Sequence, residues 1–340
     1  MPGARFTNWA GNQTFAPAAI VAPRSEAEVQ AALRGATSVR ATGAGHSFTP
    51  LQATAGTLLA MDALHGIVGV DAAAGRVVAR PGTPIGAFGP PLWDAGLALA
   101  NQGDIDSQTI AGAVATATHG SGLELPSFSA TLRRARLVLA SGDVLEVGED
   151  DPRLPAVQVS LGLLGVLTEL EVTAVPAYRM AERIEHWSWD DASGRLDEMA
   201  RAHRHFSFFW CPSEGSGALY GLTAPPGARI ADSCYVKIYD AVADGVPDSA
   251  VPDARVGRPY TIYPTEFDPN FHELEYFVPY ERGREAIAAM RELMLARQPI
   301  AIFPMEVRTV AAEDAWLSHS YGRASLVISV SGQPGTDYEP

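Results

Sequence analysis

Lysine is almost absent from this chain, Lys237 being the one lysine among 25 basic residues. Acidic residues outnumber basic ones 39 to 25, and the formal net charge is −14 at pH 7. Phosphate backbones and anionic lipid surfaces are held by clustered cations, so this balance argues against nucleic acid or membrane as the main partner. Cysteine is scarce as well. Cys211 and Cys234 have no metal-ligand spacing and fall in segments of strand character, which reads as two buried free thiols and gives no metal site. No apolar run approaches the roughly 20 residues that span a bilayer. The start, Met1-Pro2-Gly3-Ala4-Arg5, leads to Thr7, Asn8, Trp9 and Asn12 rather than to a signal-peptide core, so the expected location is the cytoplasm. A dinucleotide fingerprint is missing too. G-x-G-x-x-G would need glycine at position 48 and a helix opening at once, but Phe48 and Pro50 stand there.

What is present is an ordinary globular composition over 340 residues, 47% hydrophobic and 19% charged, enough for roughly two domains. Ser25 and Glu28 form a capping box that opens a helix running to about Arg34. Short apolar strands are expected over 39–42, 58–61, 67–70 and 77–79, and a hairpin over 136–140 and 144–147 around Ser141-Gly142-Asp143. Near Pro176 the character changes. Most tyrosines lie beyond it, with a strand at 273–278 and an amphipathic helix at 284–297 that is apolar at Ile287, Met290 and Met294. The expected organisation is α+β, with one domain over 1–178 and a second, antiparallel-sheet domain over 179–340, and no internal repeat.

Three glycine-marked segments stand out. Ala41-Thr42-Gly43-Ala44-Gly45-His46-Ser47-Phe48 follows a strand, and its glycines let backbone N–H groups close on a phosphate because no Cβ blocks the approach. Residues 103–122 are almost all small or polar and end in Thr118-His119-Gly120-Ser121-Gly122, which suits close approach of backbone to something flat or charged. Leu163-Leu164-Gly165-Val166 then runs into an alternating strand. Glu306 and Arg308, two apart on an expected strand, point to one face, a spacing that sets a carboxylate and a guanidinium before one substrate.

Together these segments resemble the PCMH-type FAD-binding domain of the vanillyl-alcohol oxidase superfamily. Met305-Glu306-Val307-Arg308-Thr309-Val310 and Trp316-Leu317-Ser318 narrow the resemblance to the branch of sugar-1,4-lactone oxidases and alditol oxidases. It implies a two-subdomain FAD-binding domain followed by a substrate, or cap, domain. It further implies FAD bonded covalently through His46, a bond that a neutral imidazole nucleophile suits. Thr42, Gly43, Ala44, Gly45, His46 and Ser47 would cradle the pyrophosphate. Thr109, Gly112, Thr116, Ala117, His119, Gly120 and Ser121 would form the opposite wall, with Val166 on the adenine side. Glu306 would take hydroxyl protons while Arg308 braces oxyanion character during hydride transfer. An aldono-1,4-lactone is the expected substrate and molecular oxygen the expected acceptor. An alditol such as xylitol, a non-oxygen acceptor, and a flavin-binding module without catalysis are the alternatives.

The sequence departs from the family in two places. Relatives continue into a His-Trp-Gly-Lys motif that reaches flavin and substrate, and these 340 residues contain none, so the expectation is either a truncated form, lacking a residue the family relies on for activity, or a sequence whose end is missing. Ser329 and Ser331 stand where relatives often carry histidine, which weakens inference about substrate contacts there.

Overall fold

The computed structural model describes residues 4–243, 245–265, 271–297 and 302–332. Ser25 caps helix α1 (Glu26–Arg34), its hydroxyl accepting from the Glu28 N–H at 3.2 Å, while the Glu28 carboxylate takes the Arg24 N–H at 2.8 Å. Val29 and Leu33 on its inner face pack against a small parallel sheet of β1 (Ala19–Val21), β2 (Val39–Thr42) and β3 (Thr57–Ala60), ordered β1-β3-β2.

A second, antiparallel sheet holds β4 (Ile67–Asp71), β5 (Arg76–Ala79), β6 (Leu132–Val138), β7 (Val144–Val147) and β8 (Val166–Thr173) in the order β7-β6-β8-β5-β4. Side chains alternate across a strand. Here Ala135, Leu137, Leu170 and Val172 enter the core that also takes Ile110, Ala113 and Val114 of the short helix α2 (Ile110–Ala115). Arg134, Arg136, Glu169 and Glu171 face outward as a ladder of opposite charges, Arg134 lying 3.5 Å from Glu169 and 3.6 Å from Glu171.

The remaining strands are β9 (Arg179–Ser188), β10 (His205–Cys211), β11 (Ser233–Val242), β12 (Val256–Gly257), β13 (His272–Pro279), β14 (Met305–Val310) and β15 (Ser325–Gly332). They form one antiparallel sheet ordered β12-β9-β11-β10-β14-β15-β13. One face presents Phe206, Phe208, Trp210, Val236, Ile238, Met305, Val307, Leu326 and Ile328 to helices α3 (Trp189–Gly194), α4 (Leu196–Ala202) and α5 (Gly283–Ala296). In α5, Ile287 and Met294 are buried and Met290 partly so, the stripe expected from its spacing. The opposite face is polar and turned toward the glycine segments. The mixed helix and sheet architecture, with an antiparallel sheet in the C-terminal region, is the expected one.

The two thiols are free and buried on neighbouring strands, and burial pushes Cys211 up to about 12. Among the described residues no helix is long and apolar enough to cross a membrane, and no group of three His, Cys, Asp or Glu side chains could hold a metal ion. Residues 333–340, including Pro340, lie outside the described residues.

Candidate active site

A cleft of about 1050 Å³ runs between the glycine segments and the polar face of the seven-stranded sheet. That exceeds the roughly 300–1,000 Å³ of ordinary small-ligand pockets and leaves room for a cofactor and a substrate together. One wall begins where β2 ends. Asn8 Nδ2 donates to the Ser47 carbonyl at 2.9 Å and the Trp9 N–H to the Gly45 carbonyl at 2.9 Å, so these two carbonyls of the turn are taken by the N-terminal segment. The backbone N–H groups of residues 43–47 donate to no acceptor among the described residues. Gly45 has φ +74°, the left-handed region glycine favours. A turn with free N–H groups lining a cleft is an anion cradle, because several donors converge on one acceptor there. The residues present therefore fit a cofactor pyrophosphate.

His46 lies on the same wall. Trp9 stacks on its ring at 4.7 Å between centroids, and Ser107 Oγ lies 3.3 Å from Nε2. Burial lowers the imidazole pKa, which favours the neutral, nucleophilic form.

Facing this wall is a charged array built by the two-residue period of the strands. β11 supplies Tyr235, Lys237 and Tyr239, β14 Glu306 and Arg308, β13 Glu273 and Glu275, and β15 Ser329. Glu306 Oε2 lies 3.3 Å from Arg308 Nε, while Glu306 Oε1 is buried without a hydrogen-bond partner among the described residues. Arg308 also donates to Glu275 and, at 3.1 Å, to Ser329, whose hydroxyl donates to Glu275 at 2.7 Å. Burial raises the Glu306 pKa, with Arg308 pulling it partly back. Burial also drives Glu273 up, to about 8, with the neighbouring Glu275 charge adding to the rise. Burial would raise Glu275 as well, but Arg308 and then His119 outweigh it and hold that carboxyl far down. Such divergence among neighbouring carboxyls is what acid–base sites show.

Residues 17–148 match the model of the FAD binding domain family, and residues 227–337 match the D-arabinono-1,4-lactone oxidase model. L-gulono-1,4-lactone dehydrogenase of Mycobacterium tuberculosis is 36% identical, covering 98% of this chain and 84% of that one. The chain belongs to the family of FAD-binding sugar-1,4-lactone oxidoreductases. Alditol oxidase of a Streptomyces species is 28% identical, covering 95% of this chain and 80% of the relative. L-gulonolactone oxidase of Bos taurus is 24% identical, covering 96% and 81%. Cholesterol oxidase from Brevibacterium sterolicum, 16% identical, superposes with a TM-score of 0.80 over 98% of this chain and 80% of that chain, a likeness of fold alone.

In this lactone-oxidoreductase scaffold Thr42, Gly43, Ala44, Gly45, His46 and Ser47 all line the cleft, as do Thr109, Gly112, Thr116, Ala117, His119, Val166, Glu306 and Arg308. Gly120 and Ser121 do not. Gly120 backs onto the Gln102 carbonyl, and Ser121 is buried between the halves, its hydroxyl donating to the Phe206 carbonyl at 2.5 Å. His119 is tied to the Gly120 carbonyl through Nδ1 at 2.7 Å and lies 3.4 Å from Glu275 through Nε2, so it joins the two walls. Sequence reasoning missed Asp104, Lys237, Glu273 and Glu275. Its available signals were the lone lysine of the chain and the Glu273-Leu274-Glu275 alternation, which puts both carboxylates on one strand face.

Proposed function

We propose that this protein oxidises a CH–OH group of a neutral sugar derivative, an aldono-1,4-lactone in the first place, with FAD bonded through His46 and molecular oxygen as the electron acceptor. Residues 1–178 would hold the cofactor and residues 179–340 the substrate, in the cytoplasm. Bound FAD supplies the hydride acceptor. The free N–H groups of residues 43–47 take the pyrophosphate, and residues of 109–119 and Val166 close the opposite side. Glu306 Oε1, buried and open, accepts the substrate hydroxyl proton. Arg308, fixed by Glu275 and Ser329, bears on the oxygen from which that proton leaves. The observation that carries this reading is the unpartnered Glu306 oxygen beside a fixed guanidinium, on the face opposite an anion cradle. An alditol is the second reading, supported by the likeness to alditol oxidase and by a cleft whose polar groups all suit hydroxyls.

The test is a denaturing gel of the purified protein after acid treatment, followed by anaerobic mixing with lactones and alditols. A fluorescent band at the chain mass and bleaching of the flavin by lactone are expected, with colour returning within seconds of admitting air. A dark band overturns the His46 bond, bleaching by alditols alone overturns the lactone, and a flavin that stays bleached in air overturns oxygen as acceptor.

A further inference from the structure

Lys237 sits at the centre of the cleft face, with 6% of its surface exposed. Its ammonium lies 5.7 Å from the ring centres of Phe209 and Tyr263 and 5.9 Å from that of Tyr239, and it donates to Asp104. An ammonium has three donors, and Asp104 is its one hydrogen-bond acceptor among the described residues. Two donors of a buried cation therefore remain open in the cleft. On the same sheet face, an open acceptor among the described residues is Glu306 Oε1, on β14, with β10 between the two strands. At ordinary strand spacing their backbones stand on the order of 10 Å apart, a gap whose side chains converge on a small sugar ring. A hydroxyl can donate to a carboxylate and accept from an ammonium, so these open groups complement a polyhydroxylated ligand. The charges around them decide which kind. Asp104 neutralises Lys237, and Arg308 is shared between the carboxyls of Glu275 and Glu306, so neither cation is left over for a carboxylate ligand.

We propose that Lys237 is a substrate-binding residue, held by Asp104 as its positioning partner, that donates hydrogen bonds to a hydroxyl or ring oxygen of a neutral sugar derivative while the cleft rejects the open-chain carboxylate formed when a lactone hydrolyses. The inference rests on the sugar-substrate reading above. Asp104 does two things in it. It fixes the ammonium against the three rings, and it cancels a charge that would otherwise attract carboxylates.

The test uses the flavin-loaded full chain and compares a lactone, its monodeoxy analogues and its aldonate. For the wild type, one deoxy analogue loses about 10–100-fold in kcat/KM, the loss expected for a hydrogen bond to a charged group. Lys237→Met loses a similar factor on the parent lactone, mostly in KM, and almost nothing further on that analogue. Lys237→Arg recovers part of the loss. Asp104→Asn makes the aldonate a competitive inhibitor at least tenfold tighter than with the wild type. Flavin content and Tm are read for every variant, and Lys237→Met/Asp104→Asn, which leaves no unpaired buried charge, replaces the single variants should they not fold. A Lys237→Met enzyme that keeps the wild-type deoxy penalty overturns the proposal. Should no lactone or polyol bleach wild-type flavin, the function proposed above fails and this inference with it.

Discussion

Glu306 and Arg308 stand two residues apart on β14, and burial sets what each can do. A carboxyl raised by burial holds a proton more firmly than an ordinary one, so it takes the substrate proton with greater driving force provided it starts ionised. The sign of the pH effect follows. Because the ionised form is the acceptor, kcat/KM falls as pH drops through the Glu306 pKa, and it does so at a higher pH than an ordinary glutamate would give. Glu306→Gln is expected to lower kcat about 10²–10⁴-fold and to remove this acid limb, with flavin content and Tm unchanged. A variant that retains the acid limb assigns the titration elsewhere, Glu273 at about 8 being the next group. This pair was legible because its spacing is local. The partners that fix it were not: Arg308 meets Glu275 across 33 residues of sequence, and Lys237 meets Asp104 across 133. Such pairings come from strand order, which no spacing rule reports.

At the scale of elements, close backbone approach explains why two glycines of one segment have different tasks. A Cβ on Gly120 would stand 1.9 Å from the Gln102 carbonyl oxygen and force two backbones apart, whereas one on Gly112 would meet only the Thr109 hydroxyl, at 3.2 Å. Gly112 lines the cleft and Gly120 does not. Gly120→Ala should therefore cost about 1–3 kcal/mol, with Tm falling by a few degrees, while Gly112→Ala keeps its Tm and loses flavin. Equal losses of Tm in a thermal scan of the two would overturn this division. The capping box of α1, the β6–β7 hairpin and the apolar stripe of α5 were legible in the sequence because each is set by neighbours within one or two turns. The seven-stranded sheet was harder. His205-Phe206-Ser207-Phe208-Phe209-Trp210-Cys211 shows no clean alternation, since its second face meets a buried cleft rather than water and carries Phe209 there.

Among the contacts that join the molecule, residues 118–127 leave the cofactor wall and run against the end of β14. The Gly122 N–H donates to the Thr309 carbonyl at 2.8 Å, and the Ala311 N–H to that of Leu125 at 3.1 Å. The Ser121 N–H donates to the Tyr263 hydroxyl at 3.0 Å, and the Ser121 carbonyl meets His205 Nδ1 at 2.5 Å, a ring that burial holds neutral with a pKa of about 3. At the far end Glu313, 6% exposed, accepts from the Ser127 N–H at 3.0 Å and from its hydroxyl at 2.8 Å and 3.0 Å. The two walls of the cleft are thus fixed to each other by buried hydrogen bonds, and the catalytic distance between cradle and sheet depends on them. Removing the Glu313 carboxylate leaves the Ser127 donors buried and unpaired, a cost of about 1–3 kcal/mol. In the wild type, flavin exposure and tryptophan fluorescence should change at one temperature on heating, because neither wall leaves alone. Glu313→Ala should lower the tryptophan midpoint by a few degrees and bring flavin exposure in ahead of it, and Glu313→Gln, which still accepts hydrogen bonds, should restore most of the coincidence. Coincident, unshifted transitions in Glu313→Ala would mean that the cleft is held together by the apolar contacts between the walls and not by this junction.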